Sequence, residues 1–141
     1  MSSRNRRGTG ICCANVADAR FLLDTNICIY LLRGAADSLR ERIEQCDEGE
    51  LAISTIAVAE VMVGARKLQA VDKAEDLFRM LRVYPFDARA ATAYAELPFR
   101  RGSFDRLIAA HALSLGLILV TNNERDYADL PALPVENWAK P

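Results

Sequence analysis

The chain has a single histidine, and its four cysteines form no CxxC pair. Cys12 and Cys13 are adjacent while Cys28 and Cys46 stand apart, so no zinc-ligand spacing exists. Long apolar runs are missing too: nothing approaches the ~20 residues of a membrane-spanning helix. The first residues are basic, but no apolar leader core follows them, so secretion is not expected. Free thiols in a reducing cytoplasm are the expectation. Neither sign of charge dominates. Lys and Arg number 18 against 19 Asp and Glu, for a net charge of −1. That excludes the basic whole-protein field of a non-specific nucleic-acid binder. A nucleic-acid substrate would need local arginines or a metal ion to offset its phosphates. A glycine-rich phosphate loop and a Ser/His/Asp set are absent as well.

What is present suffices for one core. Hydrophobic residues make up 51% of the 141, and a chain of this size buries roughly 70% of its unfolded surface. One domain is expected, with no disulfide or metal staple. Residues 1–20 read as a flexible polar arm, whose Arg4, Arg6 and Arg7 fit a solvated tail better than a phosphate contact. Residues 21–138 form the domain and 139–141 a tail.

Within the domain, Phe21-Leu22-Leu23 runs straight into Asp24 and Thr25. Such a run predicts a buried parallel strand whose last residue emerges at the sheet's carboxyl edge. Asn26 is placed to cap a helix to about Arg33, with Gly34 at its end. Further helices are expected over Asp37 to Asp47, from Thr55 to between Gly64 and Lys67, over Ala70 to Leu81, over Ala88 to Glu96 behind Asp87, and over Phe104 to Leu115 behind Ser103. Strands are expected at Leu51–Ser54, at Val83–Phe86 (near an edge, given Pro85), at Leu117–Thr121, and at an edge piece over Pro134–Asn137. Trp138 is expected to seal the core. The alternation predicts a three-layer α/β/α domain around a mainly parallel sheet of four to five strands.

Three acids lie in strongly apolar surroundings, where a charge is costly unless compensated. Asp24 ends the first strand, Glu60 sits about a turn into the helix after the second, and Asp105 opens the helix before the fourth. The neighbours of Glu60 predict a largely buried helix. Asn122 and Asn123 follow the fourth strand. If the first and fourth strands are adjacent, all of these face one cleft at the sheet edge where ligands bind. Clustered carboxylates force one to take up a proton unless a cation intervenes. An all-oxygen set suits Mg²⁺ or Mn²⁺ and metal-assisted phosphodiester hydrolysis. Each acid also has a structural reading: Asp24 as a helix cap, Glu60 paired with Arg66, and Asp105 as an acid at a helix start. Arg100, Arg101 and Arg106 flank the cleft and are candidates to guide nucleic-acid phosphates toward it, or a solvated loop. His111 lies six residues past Asp105, which turns it well away, and is expected to be packed rather than catalytic.

These segments carry a resemblance. Leu22-Leu23-Asp24-Thr25-Asn26, Ser54-Thr55-Ile56-Ala57-Val58-Ala59-Glu60, Gly102-Ser103-Phe104-Asp105-Arg106-Leu107-Ile108, Leu119-Val120-Thr121-Asn122-Asn123 with Asp126-Tyr127, and the ending Val135-Glu136-Asn137-Trp138 resemble, in this order, the PIN-domain family. Within it they are most similar to the VapC toxins of bacterial toxin–antitoxin pairs. The resemblance spans about residues 20 to 138. It implies a PIN fold and a Mg²⁺-dependent endoribonuclease with Asp24, Glu60 and Asp105 as catalytic acids, Asp24 and Asp105 being metal ligands. It also implies a cognate VapB-type antitoxin that inserts a basic side chain into the acidic pocket, and a toxin homodimer within a larger complex. Many relatives carry a further acid where this chain has Asn123. Asp126 is the candidate substitute, and Thr25, Asn26 and Thr121 are candidate supporting donors. Two alternatives remain open: a catalytically weak PIN-like interaction module, and another Mg²⁺-dependent phosphotransfer enzyme. A second aspartate two residues after Asp24 would favour the latter, and that position is Asn26.

Overall fold

The computed structural model describes residues 19–34, 37–99 and 103–140. Arg100 and Arg101 lie outside the described residues, as does the expected arm apart from Ala19 and Arg20. In chain order the elements are β1 (Phe21–Leu23), α1 (Thr25–Leu32), α2 (Asp37–Glu44), β2 (Leu51–Ser54), α3 (Thr55–Lys67), α4 (Val71–Arg79), β3 (Arg82–Tyr84), α5 (Ala88–Ala95), α6 (Phe104–Leu115), β4 (Ile118–Val120), a 3₁₀ turn (Glu124–Tyr127) and β5 (Val135–Glu136).

Every strand pair is parallel, in the spatial order β3-β2-β1-β4-β5. Parallel neighbours need crossover connections, and the helices supply them. The central strands accordingly read as unbroken apolar runs: Leu22, Leu23, Ala52, Ile53, Leu119 and Val120 are all fully buried. Trp138 is also buried, its ring meeting Phe21 edge-on at a centroid distance of 4.8 Å. The chain builds from β1 outward to β3, then returns to the opposite side of β1 for β4 and β5. The reversal falls between β1 and β4, where Leu22 pairs with Leu119 and Leu23 with Val120. At such a switch point the connections diverge and leave a crevice at the carboxyl ends of the strands.

Local chemistry moves two boundaries from their expected places. β1 stops at Leu23, because Asp24 is itself the helix cap: its carboxylate accepts the Ile27 N–H at 2.9 Å. Thr25 is therefore helical, and Asn26 is an exposed first-turn residue rather than the cap. Ser54 caps α3 in the same way, accepting the Ile56 N–H at 3.1 Å. The expectation of a largely buried α3 is also corrected. Only the stripe Ala57, Val61 and Ala65 is fully buried, at a four-residue period. The opposite face is open, and Val63 is 57% exposed despite its apolar neighbours.

Candidate active site

Asp24 stands at the switch point. Its N–H continues the sheet by donating to the Val120 carbonyl at 3.0 Å, and its side chain is drawn inward by the cap, leaving the residue 2% exposed. Burial pushes its carboxyl up to about 6, against hydrogen bonds from the Thr121 side chain and the Ile27 N–H that hold it down. The negative charges of Asp105 and Asp126 push it up further. Thr121 follows β4 directly and is fully buried. Its hydroxyl also accepts the Asn123 N–H at 3.1 Å, so one side chain links the ends of β1 and β4.

Asp105 enters from the first turn of α6, where Ser103 is the cap. Its carboxyl is raised chiefly by burial, then by the charges of Asp126 and Glu60 and by a hydrogen bond shared with Asp126, with Arg106 acting in the opposite sense. Asp126 comes from the 3₁₀ turn and accepts a hydrogen bond from the Asn123 side-chain amide at 3.0 Å. Asn123 thus acts here as a donor that orients the neighbouring acid. Glu60 reaches the same edge from α3. Its partner is Thr25, whose hydroxyl donates to Oε1 at 2.6 Å, and not Arg66. Asp24, Glu60, Asp105 and Asp126 therefore share one edge, with Asp105 feeling Glu60 and Asp126 while Asp24 feels Asp105 and Asp126. Among the described residues, no group of three or more acidic, histidine or cysteine side chains is placed to hold a metal ion. The acids are gathered at one edge without converging on a single ion position.

Other expected residues fall elsewhere. Asn26 makes no side-chain hydrogen bond to the acids among the described residues, and Arg100 and Arg101 lie outside them. Arg106 is not a surface guide for phosphates. It is 1% exposed, and its Nη2 donates to both Asp129 oxygens at 2.6 and 2.8 Å. His111 is buried, its ring edge-on to Phe86 at 5.4 Å. Sequence reasoning assigned no role to two residues here. Asp129 pairs with Arg106, 23 positions away. Tyr127 is 3% exposed, with a buried hydroxyl that has no hydrogen-bond partner. Burial, followed by the charges of Asp24, Asp105 and Asp126, raises its phenol.

A parallel sheet with a carboxylate-lined crevice at its switch point defines a class, and the family comparison agrees with it. The PIN domain model matches residues 21–133, and the chain belongs to that family. Within the family it is similar to the tRNA(fMet)-specific endonuclease VapC of Shigella flexneri, at 37% identity over 131 residues covering 85% of this chain and 98% of the relative. Among solved structures, the DNA-bound VapBC of Salmonella typhimurium matches with a TM-score of 0.74 at 34% identity, covering 85% of this chain and 98% of that one. VapBC2 of Rickettsia felis bound to a promoter DNA fragment matches with a TM-score of 0.73 at 32% identity, covering 84% and 98%.

Proposed function

We propose that the chain is the endoribonuclease toxin of a VapBC-type toxin–antitoxin pair, and that Asp24, Glu60, Asp105 and Asp126 form its hydrolytic site. The observation that carries the site is the placement of Asp24, 2% exposed at the switch point with its N–H on the Val120 carbonyl and the charges of Asp105 and Asp126 bearing on it. Four carboxylates with no histidine or cysteine among them form an all-oxygen donor set whose mutual repulsion a hard divalent cation relieves. That donor set fits Mg²⁺, or Mn²⁺ in its place. Asp24 and Asp105 are the residues to hold it. When bound, the ion supplies charge neutralisation at the scissile phosphate and a more acidic water.

The chain's own groups do the rest. Glu60, oriented by the Thr25 hydroxyl, is placed to accept a proton from the attacking water. Thr121 fixes Asp24, and the Asn123 amide fixes Asp126. The antitoxin partner is supported by kinship with proteins solved as VapBC complexes. A toxin homodimer within the complex and a cytoplasmic site of action belong to the same proposal. Among the described residues, no helix is long and apolar enough to cross a membrane.

The test is cleavage of RNA by antitoxin-free protein with and without Mg²⁺, run beside Asp24→Asn. Cleavage that requires Mg²⁺ and vanishes in the variant supports the reading. Wild-type protein that binds an antitoxin peptide but leaves RNA intact would return the chain to the interaction-module alternative.

A further inference from the structure

Arg106 immediately follows Asp105 on α6, yet it turns inward and grips Asp129 with one nitrogen on both carboxylate oxygens. Asp129 lies three residues beyond Asp126, just past the end of the 3₁₀ turn. The contact therefore ties the helix that carries Asp105 to the segment that carries Asn123 and Asp126. That segment has little rigidity of its own. A single 3₁₀ turn offers poor hydrogen-bond geometry and few bonds. Backbone bonds at its ends are Asp126 N–H to Asn123 at 3.2 Å, Ala128 N–H to Arg125 at 3.3 Å and Leu130 N–H to Tyr127 at 3.0 Å.

As a source of stability the pair is a poor choice. Nη1 of Arg106 is buried without a hydrogen-bond partner, and the Asp129 side chain is 40% exposed. A buried guanidinium left partly unsatisfied is costlier than a well-packed Leu or Met of similar volume. What the pair supplies instead is registration, and the residue it registers matters. With Asn123 uncharged, Asp126 is the acid on this side of the crevice, and its charge bears on Asp105.

We propose that Arg106, clasped to Asp129, is a positioning residue that holds the Asp126 segment against α6, so that Asp105 and Asp126 face one divalent cation together. This rests on reading the acid cluster as a cation-binding nuclease site. The clasp acts through placement and touches neither RNA nor ion.

The test compares wild type with the double variant Arg106→Met/Asp129→Leu, which removes both charges of the pair together. Two readouts need no RNA: the Mn²⁺ dissociation constant from electron paramagnetic resonance of free Mn²⁺, and amide hydrogen exchange over residues 122–129 in metal-free protein. The double variant is expected to bind Mn²⁺ at least 5-fold more weakly and to exchange about 10-fold faster in that segment, with β1 and β4 unchanged. Cleavage should lose kcat with little change in KM. Should the double variant not fold, Asp129→Asn keeps the shape with a weaker acceptor, and the same directions of change are expected. Wild-type affinity and wild-type exchange in either folded variant would overturn the clasp. Wild-type protein that binds no Mn²⁺ would instead sink the cation site itself, and exchange in the metal-free variants would still decide whether Arg106 places the segment.

Discussion

Asp24 has two roles whose demands on its charge conflict. As a helix cap it wants a carboxylate oxygen facing the Ile27 N–H; as a buried acid among acids it is driven to hold a proton. Asn satisfies the first demand without the second. The folded value of about 6 lies above the ordinary 3.8, so between the two the native state binds more protons than the unfolded chain. Stability of the metal-free protein therefore falls as pH rises from about 4 to 6 and is flat above. Asp24→Asn removes this loss. It should abolish RNA cleavage while making metal-free protein at pH 8 more stable than wild type by about 1–3 kcal/mol, a gain that disappears by pH 4; urea titrations at the two pH values check it. Asp105→Asn should likewise lose at least ~100-fold in kcat yet melt cooperatively. Thr25→Val leaves Glu60 without its donor, and we expect roughly 10-fold lower kcat with an unchanged far-UV spectrum. The identities of these acids were legible in the sequence, because a charge inside an apolar run stands out. Their partners were not: Thr25 lies 35 positions from Glu60, and no local pattern encodes that pairing.

Elements set the angle at which each acid arrives. Strand β1 hands over to α1 without an intervening loop, so the cap residue and the crevice residue are the same one. Helix α6 places Asp105 in its first turn, where an anion is favoured, and ends at Gly116 with φ +70°. That left-handed turn aims the chain into β4 and hence at Thr121. A Cβ at Gly116 would touch nothing within 4 Å, so the cost of Gly116→Ala is conformational alone. It should destabilise by about 1 kcal/mol, and Gly116→Asn by less, as chemical denaturation will measure. Helices and strands were readable from their apolar periods to within about three residues, the helix expected to reach Asp47 ending at Glu44. The exposure of Val63 was not, because composition alone does not say which stripe of an apolar helix meets the sheet.

At the scale of the whole molecule, the acid cluster is a local excess of negative charge on a chain of net charge −1. Folding brings these repelling groups together, and an ion that binds only the native state recovers part of that cost. Mg²⁺ at 100 times its dissociation constant should stabilise wild type by about 2.7 kcal/mol, or several degrees in Tm. Asp24→Asn should show a much smaller shift in the same thermal scans, and equal shifts in the two proteins would place the ion elsewhere. By itself the sequence determined the parallel α/β architecture and the acids at the ends of its elements, since hydrophobic period and strand-end polarity are local properties of the chain. Only the tertiary structure decided that Glu60 answers to Thr25, that Asp126 stands beside Asp105, and that Arg106 faces inward to Asp129. Those choices depend on how helices far apart in sequence seat on one sheet, and a linear pattern has no term for that distance.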